Sequence, residues 1–370
     1  MRILVWQWGR YGGAPRFAAA LAEALRTMPG VEAMLSLSSH AELLHGAAPP
    51  RCELPVDTYD GPLSFVLRAA AAPFSVGVLA RRVAALRPEL AICALPGMLD
   101  LLMVAALRRL GVPVVVLVHD ADAHPGDGLP LQMWLQRRLC LRAAAVGALT
   151  AHVGDRLRAQ GLAGVPGRPL LHLSHPPVAF AMPPAAARPE DGLRLLSFGR
   201  LLPYKGLDLL ADALARLGPR PGLALRVVGS GPETPTLAAL RALPGVTVEN
   251  RWVPEDEIGV LLAWSDALVL PYREASQSGV AAAALAAGRR VLATRVGGLA
   301  EQLAGDPRAI LCEPDAESLA VGLRSLLEAA REPPTAPVTD ARAAWREMAA
   351  SLLQQIEGLN LGRPHEEMPR

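Results

Sequence analysis

Short apolar runs alternate with longer segments of helical periodicity along most of this 370-residue chain, and this alternation constrains the fold more than any other feature. The runs recur at 3–6, 90–95 and 112–118 in the first half, and at 193–198, 224–228, 246–249, 267–270, 291–294 and 309–311 in the second. Runs that are nearly continuous in apolar residues are typical of strands buried on both faces of a parallel sheet. The two blocks therefore predict an α/β protein with two doubly wound parallel sheets.

The chain is long for one ordinary domain and suits two of about 180 residues. Between the two blocks lies a segment rich in proline and alanine, which is a linker composition. The sequence predicts a Rossmann-like first domain over 1–177, a linker over 178–192 and a Rossmann-like second domain over 193–335. Residues 336–370 are predicted to form a helix that packs back toward the first domain, and then a flexible tail.

Four scattered cysteines, none in a C-x-x-C pair, are typical of small core residues in a reducing compartment. The chain opens on a strand pattern that lacks the shape of a secretory leader. No apolar stretch reaches the roughly 18–20 residues of a membrane-spanning helix. These features predict a cytoplasmic protein, and a net charge of +2 offers no argument for nucleic acid as a partner.

Two glycine-containing turns follow predicted strands, at the strand ends where open α/β sheets bind ligands. Gly12-Gly13 follows the first strand, and paired glycines let the backbone approach a ligand closely. Gly229-Ser230-Gly231 follows a strand of the second block and can border a flat base ring. Either turn can equally be a tight structural connection. Pro232-Glu233 suits the first turn of the next helix.

A run of histidine and aspartate follows the apolar run at 112–118. His119 and Asp120 end the strand, and the loop continues through Asp122, His124 and Asp127. Such side chains can bind a metal ion, act as acid–base groups or hydrogen-bond a polyol. A structural turn is the alternative around His124, because His-Pro-Gly is also favourable turn chemistry.

Lys205 is the only lysine among 37 basic residues. It lies in Phe198-Gly199-Arg200-(x)4-Lys205-Gly206, directly after an apolar run. A compact ammonium retained where arginine serves everywhere else indicates a place that a planar guanidinium does not fit. Arg200 and Lys205, between a strand and a helix, suit the binding of a phosphate. Survival of one lysine by chance is the alternative.

The segment Glu274-Ala275-Ser276-Gln277-Ser278-Gly279-Val280 precedes a stretch of almost pure alanine at 281–287. A helix with so little side chain can lie close to the sheet and direct its N-terminal N–H groups at a phosphate. Glu274 can accept paired hydrogen bonds from sugar hydroxyls. A simple N-capping segment is the alternative.

The order of these segments resembles a known family. Phe-Gly-Arg-(x)4-Lys-Gly is followed by Val-Val-Gly-Ser-Gly-Pro-Glu, by Asp-Ala-Leu-Val-Leu-Pro-Tyr with Ser-Gly-Val, and by Arg-Val-Leu-Ala-Thr-Arg-Val-Gly-Gly-Leu-Ala-Glu. This order resembles the GT-B glycosyltransferases of retaining family 4, also called glycosyl transferases group 1, over 193–330 and in fewer features over 1–180. The Ser-Gln-Ser-Gly-Val form resembles a sub-branch associated with bacterial polysaccharide assembly.

The resemblance implies two facing Rossmann-like domains with a cleft between them, and a nucleotide diphosphate sugar such as a UDP- or GDP-sugar as donor. It implies no metal ion and no other cofactor. Arg200 and Lys205 would neutralise the diphosphate, with His119 and Glu274 as further catalytic residues. The implied donor contacts are Gly12, Gly13, Gly229, Ser230, Gly231, Ser276, Gln277, Ser278, Gly279 and Val280. The implied acceptor-side contacts are Asp120 and His124.

One position departs from the family pattern Glu-(x)7-Glu. The second Glu of that pattern binds ribose hydroxyls, and its position here holds Ala282 or Ala283, depending on alignment. Only Glu274 is retained, shifted by up to one residue. The pattern therefore leaves ribose recognition and the role of Glu274 open.

The resemblance implies a retaining transferase that moves a hexosyl or uronosyl group to a glycan or a polyprenyl-diphosphate-linked acceptor in exopolysaccharide or other polysaccharide synthesis. A sugar-nucleotide epimerase and a non-catalytic nucleotide-sugar-binding subunit are the alternatives. A phosphorylase is disfavoured, because it would need a lysine for pyridoxal and the only lysine already lies in the phosphate motif.

Contact with a membrane is a separate question. The segment 62–87 and the predicted helix over 130–143 mix apolar residues with arginine, as do helices that lie in a lipid interface. Residues 1–180 are also mildly basic, with 17 Arg against 12 Asp and Glu. Peripheral contact with the inner face of the cytoplasmic membrane and an ordinary core face are both open interpretations.

Overall fold

Two parallel sheets organise the chain. The computed structural model describes residues 1–126, 130–184, 192–329 and 340–361. Among these, the first unit takes in 1–122, 130–174 and 342–361, and the second takes in 123–126, 175–184, 192–329 and 340–341. The predicted tail from Gly362 onward and much of the predicted linker lie outside the described residues.

The first unit contains a six-stranded sheet in which every paired strand is parallel. Its strands, in the spatial order β2-β1-β3-β4-β5-β6, are β1 (Arg2–Gln7), β2 (Glu32–Leu37), β3 (Leu90–Ala94), β4 (Val114–Val118), β5 (Ala145–Ala148) and β6 (Leu170–His172). The helices that connect them are α1 (Gly13–Arg26), α2 (Pro62–Ala70), α3 (Ala72–Leu86), α4 (Asp100–Arg109), α5 (Pro130–Cys140) and α6 (Ala151–Ala159). β3 and β4 are buried at every position, as their continuous apolar sequences predict.

The second unit contains another all-parallel six-stranded sheet, in the spatial order β12-β11-β10-β7-β8-β9. Its strands are β7 (Leu193–Phe198), β8 (Leu223–Gly229), β9 (Val246–Asn250), β10 (Ala267–Leu270), β11 (Arg290–Thr294) and β12 (Ala309–Cys312). Its helices are α7 (Leu207–Leu217), α8 (Pro235–Arg241), α9 (Glu255–Trp264), α10 (Gly279–Ala286), α11 (Gly297–Leu303) and α12 (Ala316–Ala329).

Helices cover both faces of the second sheet. Side chains of α7, α8 and α12 pack in one apolar cluster, and those of α9, α10 and α11 pack in another. The predicted doubly wound α/β architecture is therefore confirmed. The strand order reverses between β10 and β7, and in such sheets the loops at that switch point form the ligand-binding crevice.

The last described helix, α13 (Ala341–Gly358), packs on the first unit. The rings of Trp345 and Phe17 meet edge to face with centroids 5.0 Å apart. The side-chain amide of Gln355 donates to the carbonyl of His172 and accepts from its N–H, both at 2.9 Å. This exchange extends the hydrogen bonding of edge strand β6 onto the helix.

The four cysteines are free thiols, and Cys93 and Cys140 are buried in the core of the first unit. Burial raises the pKa of Cys140 to about 12 and that of Cys312 to about 11. These thiols therefore behave as small apolar side chains, as their scattered positions predict.

Within the described ranges, none of the helices is by itself long and apolar enough to cross a bilayer. One pair, Pro62–Ala70 with Phe74–Leu86, meets the length and composition criteria together, with an 87° bend between its members.

Candidate functional site

The ammonium of Lys205 lies between two tyrosine rings at the switch point of the second sheet. A short 3-10 turn, Pro203–Lys205, places it after β7. Its Nζ is 3.8 Å from the ring centroid of Tyr272, which follows β10, and 4.8 Å from that of Tyr204. No carboxylate oxygen of the described residues lies within 4.0 Å of this ammonium. The rings hold the cation through their π faces and leave its charge unneutralised.

The charge of Lys205 is retained at neutral pH. Burial lowers the pKa of this ammonium, but the phenol groups of Tyr272 and Tyr204 offset that effect, and the pKa lies above its ordinary value. The ammonium keeps its charge, and with no carboxylate oxygen of the described residues within 4.0 Å it can form charge-assisted hydrogen bonds to an anionic ligand. The geometry is therefore that of an anion site.

Arg200, an exposed cation on the same loop, lies beside Tyr204. Its Nη2 donates a long hydrogen bond of 3.4 Å to the Tyr204 hydroxyl. The two predicted phosphate ligands, Arg200 and Lys205, thus share one aromatic neighbour. The structure brings both to the carboxyl edge of the second sheet.

His124 and Glu274 form a pair that no spacing in the sequence indicates. Nδ1 of His124 is 3.0 Å from Oε1 of Glu274, and its ring stacks on Tyr204 with centroids 4.7 Å apart and an interplanar angle of 15°. Residues 123–126 cluster with the second unit although the chain on both sides belongs to the first. A cavity of about 340 Å³ adjoins the pair, lined by Pro125, Tyr204, Asp208, Thr236, Arg273 and Glu274 among others.

Ser278 caps α10, as the structural interpretation of this segment predicts. Its Oγ accepts from the N–H of Ala281 at 3.2 Å, and both of its backbone polar groups are bound by the amide of Gln302, at 2.9 and 3.0 Å. Its own N–H is therefore not directed at a ligand. The N–H groups of Gly279 and Val280 have no acceptor among the described residues.

The side-chain oxygen of Gln277 is buried without a hydrogen-bond partner among the described residues. Buried acceptors in native proteins are nearly always satisfied, so this oxygen indicates a donor supplied by water or a ligand. Ser276, just before it, is 7% exposed. Gln277 and the first turn of α10 thus offer an acceptor and two donors at one helix start.

The turn Gly229-Ser230-Gly231 packs tightly against the loop that follows β7. A Cβ at Gly229 would lie 1.6 Å from the carbonyl oxygen of Gly199, and one at Gly231 would lie 2.3 Å from that of Leu201. The amide of Asn250 binds both the N–H and the carbonyl of Gly231. Close packing of two loops therefore accounts for both glycines without a ligand.

The predicted start of the following helix is wrong. α8 begins at Pro235, and Thr234 is its N-cap, accepting from the N–H of Leu237 at 3.4 Å. Glu233 lies before the helix, where it pairs with Arg241 at 2.8 Å. The second proline and the capping threonine determine the start, because both suit the first helical positions better than Pro232-Glu233 does.

In the first unit, the predicted residues lie at the carboxyl edge of the sheet. Gly12 has a φ of +81° and precedes α1, and a Cβ at Gly12 or Gly13 would meet no atom within 4 Å. His119 directly follows β4, and its Nε2 is 3.0 Å from Oδ2 of Asp120. The space over the two glycines is open to a ligand.

Among the described residues, no three His, Cys, Asp or Glu side chains are arranged to hold a metal ion. The metal interpretation of the loop after β4 therefore has no support there. Ala282 and Ala283, the alternative positions of the family's second Glu, are each 1% exposed within α10. Their burial excludes them from contact with a ribose.

Sequence reasoning missed Tyr204, Tyr272, Asn250 and Gln302. The two tyrosines could have been identified from the sequence, because the chain has only four and these two adjoin Lys205 and Arg273-Glu274. The roles of Asn250 and Gln302 could not be identified from the sequence, because the residues that their amides bind lie 19 and 24 positions away.

Two family models match the chain. The model described as "Glycosyltransferase Family 4" matches residues 11–169, and the one described as "Glycosyl transferases group 1" matches residues 192–329. A GDP-mannose:glycolipid 4-beta-D-mannosyltransferase of Xanthomonas campestris pv. campestris is 29% identical over 52% of this chain and 53% of that protein. A glycogen synthase of Mycobacterium tuberculosis is 33% identical over 46% and 42%. The chain spans about half the length of these curated relatives.

Solved structures share the fold over nearly the whole chain. Sucrose-phosphate synthase from Thermosynechococcus elongatus has a TM-score of 0.69 at 16% identity and covers 98% of this chain, which in turn covers 100% of it. Anabaena HepE, solved in complex with UDP and glucose, has a TM-score of 0.66 at 19% identity, with 97% and 98% covered. The similarity to these structures, together with the two Rossmann-like units, shows that the chain has the GT-B fold.

Proposed function

Because the chain belongs to the group 1 glycosyltransferases of family 4, we propose that it is a retaining glycosyltransferase that uses a nucleotide diphosphate sugar. It would transfer a hexosyl or uronosyl group to a glycan or a lipid-linked glycan in bacterial polysaccharide synthesis. The observation that carries this proposal is the Lys205 ammonium, held between two aromatic rings with no carboxylate of the described residues within 4.0 Å.

The chemistry of this site suits a diphosphate leaving group. The bond between the sugar C1 and a β-phosphate oxygen breaks, and its electron pair leaves on the nucleotide diphosphate. The acceptor hydroxyl forms the new bond to C1, and its proton passes to the departing phosphate oxygen. Lys205 and Arg200 neutralise the charge that develops on that oxygen, and the N–H groups of Gly279 and Val280 add two donors. Preorganised charges of this kind stabilise the transition state.

The relatives support the class of donor. HepE was solved with UDP and with UDP-glucose, and the Xanthomonas relative is named for GDP-mannose and a glycolipid. In this chain Glu274 would bind sugar hydroxyls, and Gln277 and Ser276 would lie along the donor. Gly12, Gly13 and His119 are further proposed donor contacts, and Asp120 and His124 are proposed acceptor contacts.

Binding of a nucleotide diphosphate is the first test. We expect UDP or GDP at 1 mM to raise Tm by several degrees, because a ligand at 100 times its Kd stabilises the folded state by about 2.7 kcal/mol. The matching nucleotide sugar should then be hydrolysed slowly without acceptor. Differential scanning fluorimetry and mass spectrometry check the two results. If no nucleotide diphosphate changes Tm, the proposal is wrong.

The alternatives give different products in the same assay. A non-catalytic subunit would bind the diphosphate and turn over no sugar. An epimerase would convert the nucleotide sugar without net release of the nucleotide. Release of free nucleotide favours the transferase.

We also propose that α2 and α3 lie on the cytoplasmic face of the inner membrane, where a polyprenyl-diphosphate-linked acceptor would reside. Phe74, Leu63 and Leu67 are 84%, 75% and 62% exposed. Residues 61–88 hold four arginines and no acidic residue. An exposed apolar surface beside basic side chains suits an anionic lipid surface.

Vesicle flotation tests this membrane contact. The protein should float with vesicles that contain about one-third anionic lipid and remain at the bottom with neutral vesicles. Replacing Leu63 and Phe74 by serine should lower the bound fraction at least about tenfold, because burying each side chain contributes roughly 1.5–3 kcal/mol. Val321→Ser, at an exposed apolar position of the second unit, is the control. Equal flotation of all three proteins would contradict the contact.

A further inference from the structure

One side chain, Tyr204, contacts three charged or titratable residues of the candidate site. Its ring and hydroxyl adjoin Lys205, Arg200 and His124, and it is only 5% exposed. We infer that Tyr204 is a positioning residue that sets both phosphate-binding cations in place, an inference that rests on the glycosyltransferase function proposed above.

The backbone at Tyr204 is held in place by its neighbours in the loop. The carbonyl of Tyr204 accepts from the N–H of Arg273 at 2.8 Å, which joins the loop after β7 to the loop after β10. Its N-terminal neighbour is Pro203, which begins the 3-10 turn, and Gly206 follows at a φ of +64°. These contacts fix the backbone at Tyr204, and the burial of its side chain limits the positions that the ring can take.

A tyrosine at this position has two distinct effects on the cations. Its π face attracts the Lys205 ammonium without neutralising it, so the charge remains available to a phosphate. Its hydroxyl oxygen accepts from the Arg200 guanidinium and limits where that long side chain lies. The ring also stacks on His124, which is paired with Glu274, so Tyr204 contacts both the phosphate-binding cations and the His124–Glu274 pair.

Two substitutions separate the ring from the hydroxyl. Tyr204→Phe keeps the ring and removes the oxygen at Arg200, and Tyr204→Leu removes both. We expect UDP, or GDP if that is the bound nucleotide, to bind about tenfold more weakly to Tyr204→Leu and a few-fold more weakly to Tyr204→Phe. Binding of the corresponding monophosphate should change less than about threefold, because it lacks the β-phosphate that the cations hold. Isothermal titration calorimetry gives both affinities.

Trp264→Leu is the matched control. Trp264 forms a cation–π contact with Arg226 at 5.2 Å, in the same unit but at the end of α9. This variant should lose a comparable contact and leave both nucleotide affinities unchanged. In turnover assays Tyr204→Phe should lower kcat more than it raises KM, because a misplaced cation stabilises the leaving group less in the transition state.

The outcomes are distinguishable. If the wild-type protein binds no nucleotide diphosphate, the proposed function fails and the inference fails with it. If the wild type binds but both Tyr204 variants bind equally well, only the inference fails. Equal losses for the diphosphate and the monophosphate would also overturn it, because that would indicate a general loss of structure. Should Tyr204→Leu not fold, the ratio of the two affinities in Tyr204→Phe decides.

Discussion

Replacing Lys205 by methionine is expected to lower kcat/KM for the sugar donor about 10- to 150-fold while Tm stays within a few degrees of the wild type. A charge-assisted hydrogen bond to a phosphate contributes roughly 1.5–3 kcal/mol, which corresponds to that range of rates. Methionine retains an unbranched apolar stem between Tyr204 and Tyr272, so the change removes the charge and little else.

The variant Lys205→Arg keeps a positive charge at this position but is also expected to lose activity. The ammonium lies 3.8 and 4.8 Å from two ring centroids, and a planar guanidinium with five donors is larger and needs a different geometry. We expect at least a tenfold loss in this variant as well. Arg216→Met, which removes an exposed cation from α7, is the control for net charge and should retain full activity.

Steady-state kinetics and calorimetric nucleotide binding check these variants together. Full activity of Lys205→Met would contradict the phosphate role. Because the pKa of Lys205 lies above its ordinary value, its charge is constant between pH 6 and pH 9. Any pH dependence of donor binding in that range should therefore persist in the variant.

The second sheet could be predicted from sequence in detail, and the first only in outline. The bounds of β7 and β10 agree with the predicted runs, because buried parallel strands are continuously apolar. β2, with the sequence EAMLSL, and the short strands β5 and β6 were not predicted. Short strands and strands of mixed composition form because they pair with neighbouring strands in the sheet, so their own sequence pattern does not predict them.

The candidate site, too, could be predicted from the sequence only in part. Arg200, Lys205 and Glu274 were identified because strand ends and helix starts are local features with characteristic chemistry. The pairing of His124 with Glu274 spans 150 residues, and no periodicity in one chain relates them. The orientation of the Tyr204 and Tyr272 rings depends on the meeting of two loops, which only the folded sheet brings about.

Gly206→Ala is expected to destabilise the second unit by roughly 2–5 kcal/mol, the largest effect on stability among the predicted changes. Gly206 has a φ of +64°, where an L side chain is strained. An added Cβ would also lie 1.9 Å from the carbonyl oxygen of Pro271, so one of the two backbones must move. The moving segments are those that carry Lys205 and Tyr272.

Gly305→Ala is a control that separates the strain of a positive φ from the close contact with Pro271. Gly305 has a φ of +78° in the same unit, and a Cβ there would meet nothing within 4 Å. It should therefore cost only the conformational strain, about 1–2 kcal/mol. Thermal unfolding followed by circular dichroism should show a Tm decrease of roughly 4–20 °C for Gly206→Ala and a clearly smaller one for Gly305→Ala. If the decreases are equal, the close approach of Pro271 to Gly206 does not constrain the loop. A difference, together with weaker nucleotide binding in Gly206→Ala alone, would link that contact to the position of the Lys205 ammonium.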